Sequence, residues 1–294
     1  MAFVGNRGAN IYWDEQGTGE PILLIMGLGY PSEMWYRIRP YLSTRYRTIA
    51  FDNRGVGRSE MPPGPYSISL MASDARAVLD AALNSAEDQS AHVFGVSMGG
   101  MIAQELALQY PQRVRSLILA CTAAGGPNSV RAESEATQML MARQNMSPEE
   151  AARAAIPFIY HPETSRERIE EDLSVRRPWF PKPEAYKAQL QGILAWEAYS
   201  RLPEIKAPTL VVHGECDRLV PPGNGKLISE RIPGAELEII PSASHLFMTD
   251  QPGATSGVIL DFLSHQNESK TSKIGIEVSN SCDRSLPRQE PTRC

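Results

Sequence analysis

Residues 91–107 read AHVFGVSMGGMIAQELA. The apolar run Ala91 to Val96 has the character of a buried strand and stops at Ser97. Ser97 is the one hydroxyl between Gly95 and Gly99, and a helical pattern follows at once, from Met98 to Tyr110. That pattern ends before Pro111, which cannot continue a helix. A serine at so tight a strand–turn–helix corner is lifted above the edge of a sheet. Side chains beside it would collide, so glycines flank it. Such a corner is strained and has to be held by its surroundings, which is hard to explain for an idle hydroxyl.

Other strand signals extend in both directions. Ala9 to Trp13, Pro21 to Met26, Arg47 to Phe51, Ser116 to Ala120, Pro208 to His213 and Glu236 to Ile240 each run into a turn-forming cluster. Helical patterns lie between them, for example Ser67 to Leu83. Near-continuous apolar strands alternating with helices imply an α/β fold: a mostly parallel sheet with helices on both faces.

The alternation breaks between Gly125 and Pro203. This stretch is helical in character, with a good helix start at Ser147-Pro148-Glu149-Glu150, and it shows no strand pattern. Residues 1–124 and 204–265 are therefore expected to form the core. Residues 125–203 are expected to form a helical cap, and the polar, poorly patterned residues 266–294 a disordered tail.

Composition narrows the function classes. The 294 residues carry a net charge of −5 with no long basic run, which argues against nucleic acid or an anionic membrane as the main partner. No apolar stretch approaches the length of a membrane span, and the first residues lack a signal-peptide pattern, so a cytoplasmic protein is expected. Cys121, Cys216, Cys282 and Cys294 show neither metal-ligand nor redox spacing, and reduced thiols are expected. The sequence leaves homo-oligomerisation open.

A serine nucleophile needs a base, and sites in a parallel sheet form beyond the carboxyl ends of strands. His92 starts its strand, His161 lies in the inserted stretch and His265 ends the last helical pattern. His213 closes its strand as a buried turn residue. His245, in the loop Pro241-Ser-Ala-Ser-His245, follows a strand at the correct edge. An acid to orient it is offered by Asp217 in the loop after His213, with Glu215 and Asp250 as rivals. Backbone donors for a developing oxyanion are available at Met98 and at Leu28, between Gly27 and Gly29.

Taken together, Gly95–Gly99, Gly27-Leu28-Gly29, the turn Asp52–Ser59, the loop Gly214–Pro221 and the His245 loop resemble an α/β-hydrolase fold enzyme of the cofactor-free esterase and lactonase type. The resemblance spans residues 10 to 265 and preserves the order nucleophile, acid, base. It implies Ser97 as nucleophile, Asp217 as acid, His245 as base, and Leu28 and Met98 as the oxyanion hole, with no metal or cofactor. Many relatives carry His-Gly where this chain has Met26-Gly27, which makes the adjoining wall more apolar.

A serine at the corner directs attack to a carbonyl. The expected walls are Leu28, Tyr30, Met34, Trp35, Met98, Leu219, Val220, Leu246 and Phe247, beneath aromatic residues of the cap. Of these, Trp35, Leu219, Val220 and Leu246, together with Gly27 and Gly29, are assigned to substrate binding. Apolar walls suit a small to medium ester or lactone. A lactonase similar to 3-oxoadipate enol-lactonases and a C–C bond hydrolase share every motif. A ligand receptor on the same fold is the non-enzymatic alternative. Arg54, Arg58 and Arg218 fall at the correct edge, with Arg218 expected to pair with Asp217, and no cluster of cations addresses a substrate carboxylate.

Overall fold

The computed structural model describes the backbone of residues 1–83 and 89–281 and the side chains of 1–83 and 89–266. Among these residues eight strands form one sheet: β1 (Ala2–Asn6), β2 (Ala9–Gln16), β3 (Pro21–Ile25), β4 (Arg47–Phe51), β5 (Ala91–Val96), β6 (Val114–Ala120), β7 (Thr209–Gly214) and β8 (Glu236–Ile240). Their order is β1-β2-β4-β3-β5-β6-β7-β8, parallel from β4 to β8 and antiparallel at β1 and β2. The sequence pattern missed β1. Its alternate residues are exposed at the sheet edge, so it lacks the continuous apolar character of a central strand. It is joined to β2 by a tight turn in which Arg7 (φ 43°) and Gly8 (φ 79°) both adopt left-handed backbone.

Alternation along β3 shows how the layers are built. Ile22 and Leu24 enter one apolar layer with Trp35, Phe94 and Ile118. Leu23 and Ile25 enter the other with Val93, Leu117 and Leu119. Both faces are therefore covered, as a central parallel strand requires.

The helices are α1 (Arg39–Leu42), α2 (Ile68–Ala82), α3 (Met98–Gln109), α4 (Ser134–Ala142), α5 (Pro148–Ile159), α6 (Arg166–Arg176), α7 (Pro183–Leu194), α8 (Gly223–Arg231), α9 (Phe247–Asp250) and α10 (Pro252–Ser281). Ser67 caps α2 by accepting from the Leu70 N–H at 3.1 Å. Ser147 and Glu150 form the capping box of α5 that their spacing suggested.

Helices α4 to α7 make up the stretch inserted between β6 and β7, and its two ends are tied together. Ala198 N donates to Ala124 O at 2.8 Å, and Gly125 bridges Glu197. Gly125 is required there: its φ is 71°, and a Cβ would lie 2.2 Å from Trp196 O. At the other end of the chain, α10 continues to Ser281, beyond residue 265 where the sequence pattern placed the end of the core. The remainder of the expected tail, 282–294, lies outside the described residues, as do Cys282 and Cys294. Cys121 and Cys216 are free thiols. No helix of the described residues is long and apolar enough to cross a membrane.

Candidate active site

Five loops meet at the carboxyl edge of the sheet. They follow β3, β4, β5, β7 and β8 and carry Leu28, Asp52, Ser97, Asp217 and His245. Ser97 sits at φ 58°, ψ −120°, a conformation that non-glycine residues rarely adopt. The corner leaves no room for side chains: a Cβ at Gly95 would lie 2.2 Å from Gly99 O, and one at Gly99 would lie 2.1 Å from Ile25 O. Thr122 Oγ1 and the N–H groups of Gly100 and Met101 all donate to Ser97 O, which anchors the strained residue.

His245 Nδ1 lies 2.8 Å from Asp217 Oδ2, and both side chains are buried. Asp217 Oδ1 accepts from the N–H groups of Leu219 (2.9 Å) and Val220 (2.8 Å), which fixes the carboxylate. A carboxylate can only accept, so Nδ1 carries the proton and Nε2 is the nitrogen left for other partners. His245 and Ser97 line the same cavity of about 90 Å³, which also holds Gly27, Leu28, Met98 and Met26.

The rival acids are otherwise engaged. Glu215 is exposed and accepts from Ser242 N at 3.3 Å. Asp250 accepts from Ser244 N (2.7 Å), His161 N (3.2 Å) and Thr164 Oγ1 (2.5 Å), linking the inserted stretch to the loop of His245. Burial pushes the Asp250 carboxyl above its ordinary pKa.

The Leu28 loop is held from two sides. Tyr30 N donates to Gly27 O at 3.2 Å, and Gly29 N donates to Gln189 Oε1 of α7 at 2.9 Å. Met98 opens α3, so its N–H is among the first-turn donors that no helical carbonyl satisfies. Leu28, Met98, Ser97 and His245 thus line one cavity, and a serine, an imidazole held by a carboxylate and backbone N–H groups are of the kinds that acyl transfer uses.

Of the expected walls, Leu28, Tyr30, Met98, Leu219, Val220 and Leu246 line this cavity. Trp35 does not. It is fully buried against Phe94, with ring centroids 4.8 Å apart, and Met34 and Phe247 join it in the same layer of the core. Gly29 faces an adjoining smaller cavity with Phe180 and Tyr186. The aromatic roof expected from the inserted stretch is absent from the lining, which takes Leu140, Arg143, Ile159 and Ile193 from that stretch instead. Trp196 turns away, donating to Glu105 Oε2 at 2.8 Å, and Trp179 stacks on Arg58.

The expected pairing of Arg218 with Asp217 does not form. Arg218 pairs with Glu133 at 2.7 Å, because Asp217 is already committed to His245 and two amides. Arg54 pairs with Asp74, and Arg58 with Glu33. Sequence reading missed Arg143, which lines the cavity from the inserted stretch, and Gln189. Both lie far along the chain from any motif and carry no local signal.

Cys121, His213 and Asp217 bring potential metal ligands within 4.8 Å of one another. The chemistry of this donor set fits a metal poorly. Burial pushes the Cys121 thiol well up and so disfavours the thiolate a metal needs, and the carboxylate already accepts three hydrogen bonds. His213 Nε2 lies 3.1 Å from Val220 O, in keeping with a buried turn histidine.

With this geometry, the chain belongs to the alpha/beta hydrolase fold family, whose pattern matches residues 20–252. It is 34% identical over 89% of its length, and 98% of the relative's, to RutD of Azorhizobium caulinodans, provisionally named a carbamate hydrolase. It is 32% identical to the poly(3-hydroxyalkanoate) depolymerase of Ectopseudomonas oleovorans, over 84% of this chain and 86% of that one. Among solved structures it is similar to Est816, an N-acyl homoserine lactone degrading enzyme, at 32% identity and a TM-score of 0.75, covering 89% of this chain and 100% of that one.

Proposed function

We propose that the protein is a serine hydrolase of carboxylic esters, cyclic esters included, acting on small to medium apolar acyl groups. The observation that carries this reading is the 2.8 Å contact of His245 Nδ1 with Asp217, made by an imidazole that shares a cavity wall with the strained Ser97. In this reading residues 125–203 cap the site.

The chemistry follows from those positions. Ser97 Oγ attacks the carbonyl carbon while its proton passes to His245 Nε2, and Asp217 stabilises the imidazolium. The carbonyl oxygen becomes negative and is received by the N–H groups of Leu28 and Met98. The alcohol leaves with the proton from His245, giving an acyl-enzyme. Water, deprotonated by His245, then releases the acid and restores Ser97. In a lactone the alcohol and the acid belong to one molecule, so the same cycle opens the ring. The lactone named for Est816 and the apolar cavity wall both favour keeping lactones in the substrate class.

The test is turnover of p-nitrophenyl butyrate together with labelling by a serine-directed fluorophosphonate. Hydrolysis lost in Ser97→Ala, with label on Ser97 alone, supports the reading. Thermal stabilisation by esters with no burst and no turnover points instead to a receptor on this fold.

A further inference from the structure

Three arginines are buried among the described residues: Arg54 and Arg176, each 2% exposed, and Arg143, 7% exposed. Arg54 has a counter-ion in Asp74, reached through both Nε and Nη2 at 2.6 Å. Among the described residues neither Arg143 nor Arg176 has a carboxylate within salt-bridge distance, and the Nε of each is buried without an acceptor. Arg143 lies with its Cζ 4.9 Å from the centroid of the Tyr186 ring, and Arg176 with its Cζ 3.8 Å from that of Tyr30. Arg176 also donates to Tyr30 Oη at 3.0 Å. The Tyr186 hydroxyl is a hydrogen-bond partner for Arg143, as that of Tyr30 is for Arg176, but a neutral hydroxyl balances no charge, and ring faces offer no lone pairs to the remaining N–H groups. A buried cation left in that condition is costly unless something else supplies the acceptors.

The position of Arg143 indicates what supplies them. It stands in the wall shared by the cavity of Ser97 and His245 and the adjoining cavity that also holds Arg176. Among the described residues no carboxylate lines the first cavity, and apart from Tyr30, Ser97, Arg143 and His245 its side chains are all apolar. It therefore offers one fixed positive charge, an apolar passage and a nucleophile.

We propose that Arg143 binds a carboxylate of the substrate, so that the preferred substrates are esters or lactones bearing a carboxylate remote from the scissile carbonyl. This inference rests on the hydrolase reading above and narrows its substrate class. A planar guanidinium matches a carboxylate through two parallel N–H···O bonds, and one charge is balanced by one charge.

The test compares two esters of equal chain length, mono-p-nitrophenyl glutarate and p-nitrophenyl pentanoate, which differ in a terminal carboxylate against a methyl. The wild type is expected to favour the glutarate ester in kcat/KM, chiefly through KM. Arg143→Met is expected to lower that preference by about 30-fold or more, and Arg143→Lys by less, since it keeps the charge and loses the fork. Arg177→Gln, which removes an exposed cap charge paired with Glu149, is expected to leave the preference unchanged. A preference equal in wild type and Arg143→Met, or lowered as much by Arg177→Gln, overturns the proposal while leaving ester hydrolysis standing.

A second arm needs no turnover. Glutarate is expected to raise the Tm of Ser97→Ala and not that of Ser97→Ala/Arg143→Met. Equal shifts in the two, or none in either, overturn the proposal. Absence of ester turnover by the wild type sinks the hydrolase reading instead, and the glutarate arm then decides the role of Arg143 alone.

Discussion

Gln189 and Gly29 are 160 residues apart in the chain, and the side-chain oxygen of the first accepts from the N–H of the second at 2.9 Å. The same side chain donates from Nε2 to Arg54 O at 2.9 Å, so both ends of the amide are used and its orientation is fixed. A helix of the inserted stretch thereby sets the position of the loop that carries Leu28. Gln189→Ala leaves a buried N–H and a buried carbonyl unpaired, at about 1–3 kcal/mol each. The expected outcome is a Tm lower by several degrees and a kcat lower by about 10- to 100-fold, since the loop loses its fixed position. Gln189→Glu keeps the acceptor for Gly29 but sets a carboxylate against Arg54 O. It is expected to retain more of kcat than Gln189→Ala while losing similar stability. Equal kcat in the two variants counts against the positioning role.

Ser97 sits at φ 58°, so in the proposed mechanism substitutions there separate function from stability. Ser97→Ala is expected to lower kcat by roughly 10³- to 10⁶-fold with the fold intact. Ser97→Gly is expected to be equally inactive but more stable than Ser97→Ala by about 1 kcal/mol, because glycine occupies this backbone region without strain. Thermal or urea unfolding of the two variants measures the difference. Equal stabilities would remove the argument that strain is held at this corner.

The parts of the molecule legible in the sequence are those governed by local rules. The strands Arg47–Phe51, Ala91–Val96 and Glu236–Ile240 have the boundaries their patterns suggested, and the corner at Ser97 follows from the glycines its backbone needs. The pairing of His245 with Asp217 could be anticipated because strand polarity sends both loops to one edge. The details of the cavity could not. Trp35 reads as a wall residue beside the Leu28 loop, but the short helix Ser32–Arg37 buries it against Phe94. Arg143 and Gln189 reach the site only because α4 to α7 fold back over the sheet edge, a tertiary fact that no spacing records. The strand at Ala2–Asn6 escaped notice because alternating exposure at a sheet edge looks like an ordinary polar terminus.

The identity of the acid can be decided by two isosteric changes. Asp217→Asn removes the charge that faces the imidazolium and invites the wrong tautomer of His245, so kcat is expected to fall by about 10²- to 10⁴-fold. Glu215→Gln touches an exposed side chain that accepts a hydrogen bond from Ser242 N at 3.3 Å, and kcat is expected within about twofold of wild type. Reversal of these two results would move the acid to Glu215.

His213 gives the fold a dependence on pH distinct from that of catalysis. Burial pushes its pKa below the ordinary histidine value. Its Nε2 faces Val220 O, and its Nδ1 is buried with no acceptor for a second proton among the described residues. The unfolded chain takes up that proton near the ordinary value of about 6.5, whereas the folded chain resists it to lower pH. The unfolded state therefore binds more protons in that window. The His213 contribution to stability is complete above about pH 6.5 and declines as the pH drops toward the folded value, by at most about 1.4 kcal/mol per pH unit. Asp52 and Asp250 act in the opposite sense. Burial raises both, so the folded form binds their protons more readily than the unfolded chain, and mild acid favours folding through them. His213→Gln is therefore expected to have a Tm that falls less steeply than wild type between pH 7 and pH 5, whatever its absolute stability at pH 8. Parallel curves for the two proteins across that range would show that His213 is not the group that destabilises the fold in mild acid.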